Sequence, residues 1–224
     1  MFLSADSRPD IAFAVYQCPR FTHCTRRSHE QAVIKICRYL KGTIKDGMII
    51  WPSKDLKVDC YVDANFAGLW GAEDPQAPVC IKSRMGYVVT IANCPLRWVS
   101  KLQSEHALSI LHAEYVALSQ SLRDLIPLKE LIQEVVDALG LPSDTQYVSH
   151  STVFEDDQRA IFLAKCPKTP RTKHIGTKYH WFRDHVVKML GLQHVKSAKQ
   201  KADIFTIGLQ GQLFLNIRKM LCGW

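Results

Sequence analysis

The chain has no apolar run near the roughly 18 residues that a bilayer-crossing helix needs. Its opening, Met-Phe-Leu-Ser-Ala-Asp-Ser-Arg-Pro, has neither the basic lead nor the apolar centre of a secretory signal. The expectation is a soluble intracellular protein, cytoplasmic or nuclear, with no membrane partner. No Cys-x-x-Cys pair occurs among the eight cysteines (18, 24, 37, 60, 80, 94, 166 and 222), which argues against a zinc site and a small disulfide scaffold. Internal repeats and low-complexity tracts are also lacking. With 47% hydrophobic and 22% charged residues, disorder, collagen and coiled coil fall away. What remains is an average globular composition over 224 residues, enough for one large domain or one domain with an appendage. Lys and Arg total 29 against 21 Asp and Glu, and a net charge of +8 favours polyanionic partners such as nucleic acid.

Periodicity sets the order of elements. Residues 28–41 read as a helix, with Ser28 and Gln31 as a capping box, Ala32, Val33, Ile36, Cys37 and Leu40 at three-four spacing, and Gly42 as the stop. A shorter helix or loop surrounds Ile11 to Tyr16. Strands follow at Met48 to Trp51 and Lys57 to Asp63, then at Gly86 to Ala92 and Leu96 to Ser100 with an Asn-Cys-Pro turn, which makes an antiparallel meander. Helices are expected at about 109–122 and 127–139, then a strand at 147–155, helices at 158–164 and 175–188, a strand at 192–195, and a last helix from Lys201.

Four acids sit where a solvated charge is unusual. Asp63 and Asp156 end apolar strands, and the C-terminal edges of strands are where open α/β sheets place their ligands. Glu114 interrupts a small apolar helix face made by Ile110, Ala113, Ala117 and Leu118. Asp203 opens the last helix. Taken singly, each Asp has an ordinary role in a turn or at a helix start. Glu114 is less ordinary, because a half-buried Glu with no adjacent Lys or Arg needs a metal, a proton or a partner. Four converging carboxylates repel one another unless divalent cations lie between them. Such an arrangement is a two-metal site for phosphodiester hydrolysis, and oxygen-only ligands point to Mg2+ or Mn2+.

The strings S-R-P-D-I-A-F-A-V (7–15), R-Y-L-K-G-T (38–43), Y-V-D-A-N-F-A-G (61–68) and S-R-M-G-Y-V (83–88) are followed by A-L-S-I-L-H-A-E-Y-V-A-L-S (107–119), D-D-Q-R-A-I (156–161), R-T-K-H-I (171–175) and A-D-I-F-T (202–206). In that order they resemble copia-type LTR retrotransposon polyproteins over nearly the whole chain. The resemblance implies that residues 1–52 are the C-terminal remnant of a reverse transcriptase, thumb-like or connection-like, and that 53–224 form an RNase H-like domain. The implied fold is α/β: a mixed five-stranded sheet flanked by helices, with a helical N-terminal remnant. The family's catalytic, metal-holding carboxylates fall on Asp63, Glu114, Asp156 and Asp203. Phe154-Glu155-Asp156-Asp157 matches a polymerase aromatic-x-Asp-Asp pattern, but the family places that motif N-terminal to S-R-P-D-I. Departures from the family pattern occur at Ile110, Leu111, His112, Gly176, Ile207 and Gly208.

The implied activity is hydrolysis of the RNA strand of RNA:DNA hybrids with two divalent ions, within a larger reverse transcriptase polyprotein. The alternative is a catalytically decayed fragment that folds and binds nucleic acid only weakly. Lys173, Lys178 and Arg183, with His174, His180 and His185, make a basic segment suited to a phosphate backbone, although a charged helix face is more often plain solvated surface. His150 and His194 read as structural, and the five tryptophans form no stacking array.

Overall fold

A computed structural model of the chain describes residues 2–69, 78–140, 151–165, 175, 177–188 and 190–224. Its centre is β1 (Val58–Asn65), whose alternation buries Val58, Cys60 and Val62 completely on one face and leaves Asp59 and Tyr61 half-buried on the other. β2 (Arg84–Ile91) runs antiparallel to β1, with Gly86 opposite Asp63. β3 (Cys94–Leu102) returns antiparallel to β2. β4 (Ser151–Glu155) lies parallel to the other edge of β1, and β5 (Leu190–His194) lies parallel to β4. The sheet order is therefore β3-β2-β1-β4-β5, antiparallel on one side of β1 and parallel on the other.

One face of the sheet carries α5 (Ile110–Ala138), which buries Ala113, Ala117, Leu118, Leu122 and Leu125 against Val58, Cys60, Val62 and Val153. Small residues in its first turns let the helix come close to the strands, and larger ones fill the space beyond. α6 (Gln158–Lys165) and α7 (Arg183–Lys188) close the same core with Ile161, Leu163 and Phe182.

The opposite face packs Val88 and Trp98 against Ile204 and Phe205 of α8 (Asp203–Thr206), Ile217 and Leu221 of α9 (Gly211–Cys222), and Ala12. The N-terminal segment joins this second core through α1 (Phe2–Asp6) and α2 (Ala12–Gln17). Trp98 Nε1 donates to the Ser4 carbonyl at 2.7 Å, and the buried Arg8 guanidinium grips Asp10 at 2.8 Å. Tyr39 donates to the same Asp10 at 2.6 Å. α3 (Arg27–Gly42) buries no residue, and Val33 and Ile34 on it are exposed.

Several expected elements differ. Met48 to Trp51 forms no strand: it pairs with no strand among the described residues, Ile50 and Trp51 are exposed, and the Ile49 N–H is used by the Cys222 carbonyl at 2.9 Å. The helix starts at Arg27 rather than at Ser28, and the Arg26 N–H donates to His29 Nδ1 at 3.0 Å in place of the Ser28/Gln31 box. The β2–β3 hairpin turns on Ala92 and Asn93, whose φ values of 50° and 67° supply the left-handed pair of a two-residue loop, so Cys94 and Pro95 belong to β3. The helices expected at 109–122 and 127–139 are a single helix of 29 residues with Pro127 inside it. The proline removes one backbone donor, and the buried Leu118, Leu122 and Leu125 just before it hold the helix to the sheet. The helix expected at 175–188 is a 3-10 turn (Thr177–Tyr179) followed by α7, and the last helix divides into α8 and α9. The first residues of the strand expected at 147–155, and α4 (Pro78–Ile81) apart, much of the loop expected at 66–83, lie outside the described residues.

Candidate active site

The parallel register between β1 and β4 sets Tyr61 opposite Phe154. Two residues on from that pair, Asp63 of β1 and Asp156, just past the end of β4, come together at the C-terminal edge. Opposite Asp63 on β2, a Cβ on Gly86 would lie 2.6 Å from Phe205 Cβ and 2.7 Å from Thr206 Cγ2. The absence of a side chain there is what lets α8 rest on the sheet and bring Asp203 to the same edge. Thr206, in the last position of α8, donates its hydroxyl to Asp63 Oδ2. From the other face, the first turns of α5 deliver Glu114, which is 4% exposed.

These acids form two overlapping clusters. Oxygens of Asp63, Asp156 and Asp203 all lie within 4.8 Å of one another, and so do oxygens of Glu114, Glu155 and Asp156. Asp156 belongs to both. The four acids expected from the sequence are thus brought together, and Glu155 joins them as a fifth. Strand alternation carried the signal for it: Glu155 shares the face of Val153, and that face looks toward α5 and Glu114.

Electrostatically the site is set against its own charge. Burial, then the carboxylates of Glu155, Asp63 and Asp156, push Glu114 far up. Burial does the same to Glu155, which is fully enclosed, against one Asp157 N–H donated to its Oε1 at 3.2 Å. Burial also raises Asp203 to about 8, with Asp63 and Asp156 adding to it. Asp63 is raised to about 6 by burial, although the Thr206 hydroxyl opposes the shift. Asp156 is raised as well, first by burial. Asp157 behaves differently: despite burial, the Arg159 guanidinium and N–H hold it below its ordinary value. Among the described residues, none of the five clustered acids forms an ion pair. Glu114 Oε2 and Glu155 Oε2 are buried without a hydrogen-bond partner. Buried carboxylate oxygens left in that state are what a divalent cation satisfies, and the donor set is all oxygen, so the residues fit Mg2+ or Mn2+.

The expected nucleic-acid contacts are placed less simply. Lys178, on the 3-10 turn, pairs with Glu105. The Arg183 guanidinium donates to the Leu163 carbonyl at 2.9 Å and to the Tyr115 hydroxyl at 3.1 Å, which ties α7 to α5 and α6. Lys173, His150 and His174 lie outside the described residues.

A five-stranded mixed sheet in this order, with acids from both faces gathered at the C-terminal edge of its two central parallel strands, has the RNase H-like fold. Its homologues are retrovirus-related Pol polyproteins of plant transposons, as the motifs implied. The chain is 36% identical over 208 residues, 92% of its length, to the polyprotein of transposon TNT 1-94 from Nicotiana tabacum. It is 31% identical over 214 residues, 95% of its length, to that of transposon RE1 from Arabidopsis thaliana. It spans 14% of the length of each of these relatives. No protein-family model matches. Among solved structures, the chain is similar to the RNase H1 LC11 isolated from compost, with 21% identity, a TM-score of 0.44, and coverage of 67% of this chain and 92% of that one. It is also similar to the N-terminal RNase H domain of Rv2228c from Mycobacterium tuberculosis, with 16% identity, a TM-score of 0.42, and coverage of 67% and 91%. The strand order, and not these overlaps, carries the fold assignment. Among the described residues, no helix is long and apolar enough to cross a membrane.

Proposed function

We propose that the chain is the RNase H portion of a retrotransposon polyprotein, and that it hydrolyses the RNA strand of RNA:DNA hybrids with two divalent cations, Mg2+ or Mn2+. Asp63, Glu114, Asp156 and Asp203 would hold the ions, with residues 1–52 as the end of the reverse transcriptase and 53–224 as the nuclease domain. The observation that carries this reading is the meeting of four acids from four separate elements in two clusters that share Asp156. Bound there, the cations would supply an activated water and charge for the leaving oxygen. The chain's own residues set the geometry. Thr206 fixes one oxygen of Asp63. Asp156 stands between the two clusters, so it couples whatever each one holds. Gly86 keeps α8, and with it Asp203, against the sheet. Glu114 and Glu155 must give up protons before they can act as ligands, since burial favours their neutral forms.

A labelled RNA:DNA hybrid incubated with the protein and Mg2+ or Mn2+ tests the reading. The RNA strand should be cut, duplex DNA should be spared, and Asp63→Asn should lower the rate by at least about a hundredfold, since an amide contributes no charge at the ions. Cutting by Asp63→Asn at the parental rate rejects the assignment. The second reading, a chain that folds and binds nucleic acid weakly without catalysis, draws on the commitment of Lys178 to Glu105 and of Arg183 to Tyr115 and Leu163. Intact binding with no cutting in either metal would favour it.

A further inference from the structure

α3 carries four cations, Arg27, Lys35, Arg38 and Lys41, against a single acid, Glu30. On a helix of about 3.6 residues per turn the four cations and Gln31 fall on one side, and all five residues are exposed. Ile36, Tyr39 and Leu40 take the other side and are half-buried, and Ile36 and Tyr39 share an apolar groove with residues of α2. Of the apolar residues of α3, Ile34 lies within the charged stripe. From Arg27 to Lys41 the stripe runs about 21 Å, at about 1.5 Å per residue. Among the described residues, no ion pair, hydrogen bond or ring contact holds any of the four cations.

Nothing in the helix itself accounts for this stripe. Arg27 stands in the first turn, where the helix dipole favours an acid. Lys41 sits in the last turn, where the dipole does favour a cation, but Lys35, Arg38 and Lys41 follow one another at spacings of three, where like charges repel. α3 buries no residue, so packing does not offset these costs. A polyanion laid along the outer face does. A nucleic acid duplex offers about one phosphate charge per 3.4 Å of axis on each strand, so several phosphates come within reach of the stripe. Two of the cations expected from the sequence to hold nucleic acid are engaged within the protein, Lys178 with Glu105 and Arg183 with Tyr115 and Leu163. The α3 cations are available in their place. α2 touches both α3 and α8, and α8 carries Asp203, so the stripe is one helix removed from the acid site. An anionic membrane is the other surface that a basic amphipathic helix can meet, but such a helix must present its apolar face outward. α3 turns that face toward α2.

We propose that the outer face of α3 is an anchor for the phosphate backbone of the RNA:DNA hybrid, which holds the duplex at a distance from the acid cluster that acts on its RNA strand. The anchor deepens the nuclease reading and rests on it for the identity of the duplex. It reads charge and carries no sequence preference.

The test measures binding of a labelled RNA:DNA hybrid to the full chain in Ca2+, by fluorescence anisotropy over a series of KCl concentrations. Arg27→Met and Arg38→Met should each weaken binding several-fold and lower the slope of log affinity against log salt by about one, the value for one lost phosphate contact. The two together should lower it by about two. Arg38→Lys keeps the charge and should keep the slope, which separates the anchor from a role of Arg38 in the helix alone. Lys54→Met removes an equal charge from an exposed position at the other end of β1 from Asp63, where the Ser53 N–H donates to the Ala92 carbonyl, and should leave the slope unchanged. Slopes for Arg27→Met and Arg38→Met that match Lys54→Met overturn the anchor. Binding of the parent to vesicles of anionic lipid, lost in the two variants while their hybrid binding is unchanged, also overturns it. A parent that cuts RNA while the variants keep the full salt slope rejects the anchor alone. A parent whose slope depends on Arg27 and Arg38 but that never cuts RNA in Mg2+ or Mn2+ rejects the nuclease reading and leaves the anchor standing.

Discussion

The two faces of the sheet deliver their acids to the same edge by different means. On the α5 face, Glu114 arrives on a 29-residue helix whose apolar side is sunk into the larger core, and Glu155 is part of β4 itself. On the α8 face, Asp203 arrives on a helix of four residues, pressed onto β2 at Gly86 and pinned by the Thr206 hydroxyl. The first arrangement relies on a large buried area. The second relies on close approach and on neighbours, because α8 is too short to be stable alone and borrows its packing from α9 and the N-terminal segment. The α8 side should therefore be the easier one to disturb, and the acid site should fail there first.

The largest expected effect comes from removing the neighbours. A chain that begins at Ser53 loses Ala12 from the second core, the Ser4 carbonyl that receives Trp98, and the Gln17 and Tyr16 acceptors of the buried Arg84. The summed loss of apolar burial and buried hydrogen bonds should be on the order of 4 kcal/mol, read as a lower denaturant midpoint. A midpoint equal to that of the full chain would mean that α8 and α9 cover the second core unaided.

Next in size is a change at the point of close approach. Gly86→Val must push Phe205 and Thr206 away from the sheet, at about 1–3 kcal/mol of overpacking. Asp203 moves with them, so the stabilisation conferred by Mn2+ should shrink along with the melting temperature. Leu122→Ala on the other face is the sharpening control. It should cost about 2–5 kcal/mol through a core cavity, yet keep most of the Mn2+ increment, because Leu122 lies two turns along α5 from Glu114. Equal loss of the Mn2+ increment in both variants would erase the contrast between the faces.

Much of this was legible in the sequence, and the failures have physical causes. Asp63 and Asp156, each ordinary taken singly at the end of a strand, stood out as members of a set at strand edges where ligands bind, and Glu114 because it interrupts a stripe of small residues. Glu155 was passed over: it was placed at the end of the strand expected at 147–155 and not counted among the acids, and strand alternation is what separates the buried Glu155 from the Asp156 beside it. Met48 to Trp51 has the composition of a strand but pairs with neither edge of the sheet: the Ile49 N–H goes to the Cys222 carbonyl, Met48 packs on the second core, and Ile49, Ile50 and Trp51 stay exposed. Pro127 is a local signal against a helix, and the burial of Leu118, Leu122 and Leu125 overrides it. Gly86 carries no chemistry of its own. Its importance follows from what rests upon it.

The acids also impose a pH dependence that tells the two faces apart. In the cation-free protein Asp63 is raised to about 6 and Asp203 to about 8. A group raised in the folded state contributes its full share of stability below the ordinary carboxylate range near 4, and that share is lost as pH rises through its folded value. Stability in EDTA should therefore fall between about pH 4 and pH 8, and Mn2+ should flatten the slope by favouring the ionised forms. Asp203→Asn should remove the upper part of the fall, toward pH 8. A pH-independent melting temperature in EDTA would mean that the acids do not face one another in solution.

The smallest expected effect concerns Glu155, and it bears most directly on the sealed side. Burial keeps this carboxyl neutral in the absence of cations, so Glu155→Gln replaces one neutral polar group by another of similar size. In EDTA near neutral pH the melting temperature should change by no more than a few degrees, and upward, because the amide has no ionised form to be penalised by the nearby acids. The response to Mn2+ should change more than the starting point. If Glu155 shares a cation with Glu114 and Asp156, the amide weakens that site, and the Mn2+ increment should fall while the fold stays intact. Asp157→Asn is the matched control: Asp157 neighbours the cluster in sequence, but Arg159 already neutralises it, so its loss should leave the increment as it was. An increment lowered equally by both variants would place the effect in the general negative field of the edge. An increment untouched by Glu155→Gln would leave this acid as a buried neutral group whose only role is to fill the space between β4 and α5.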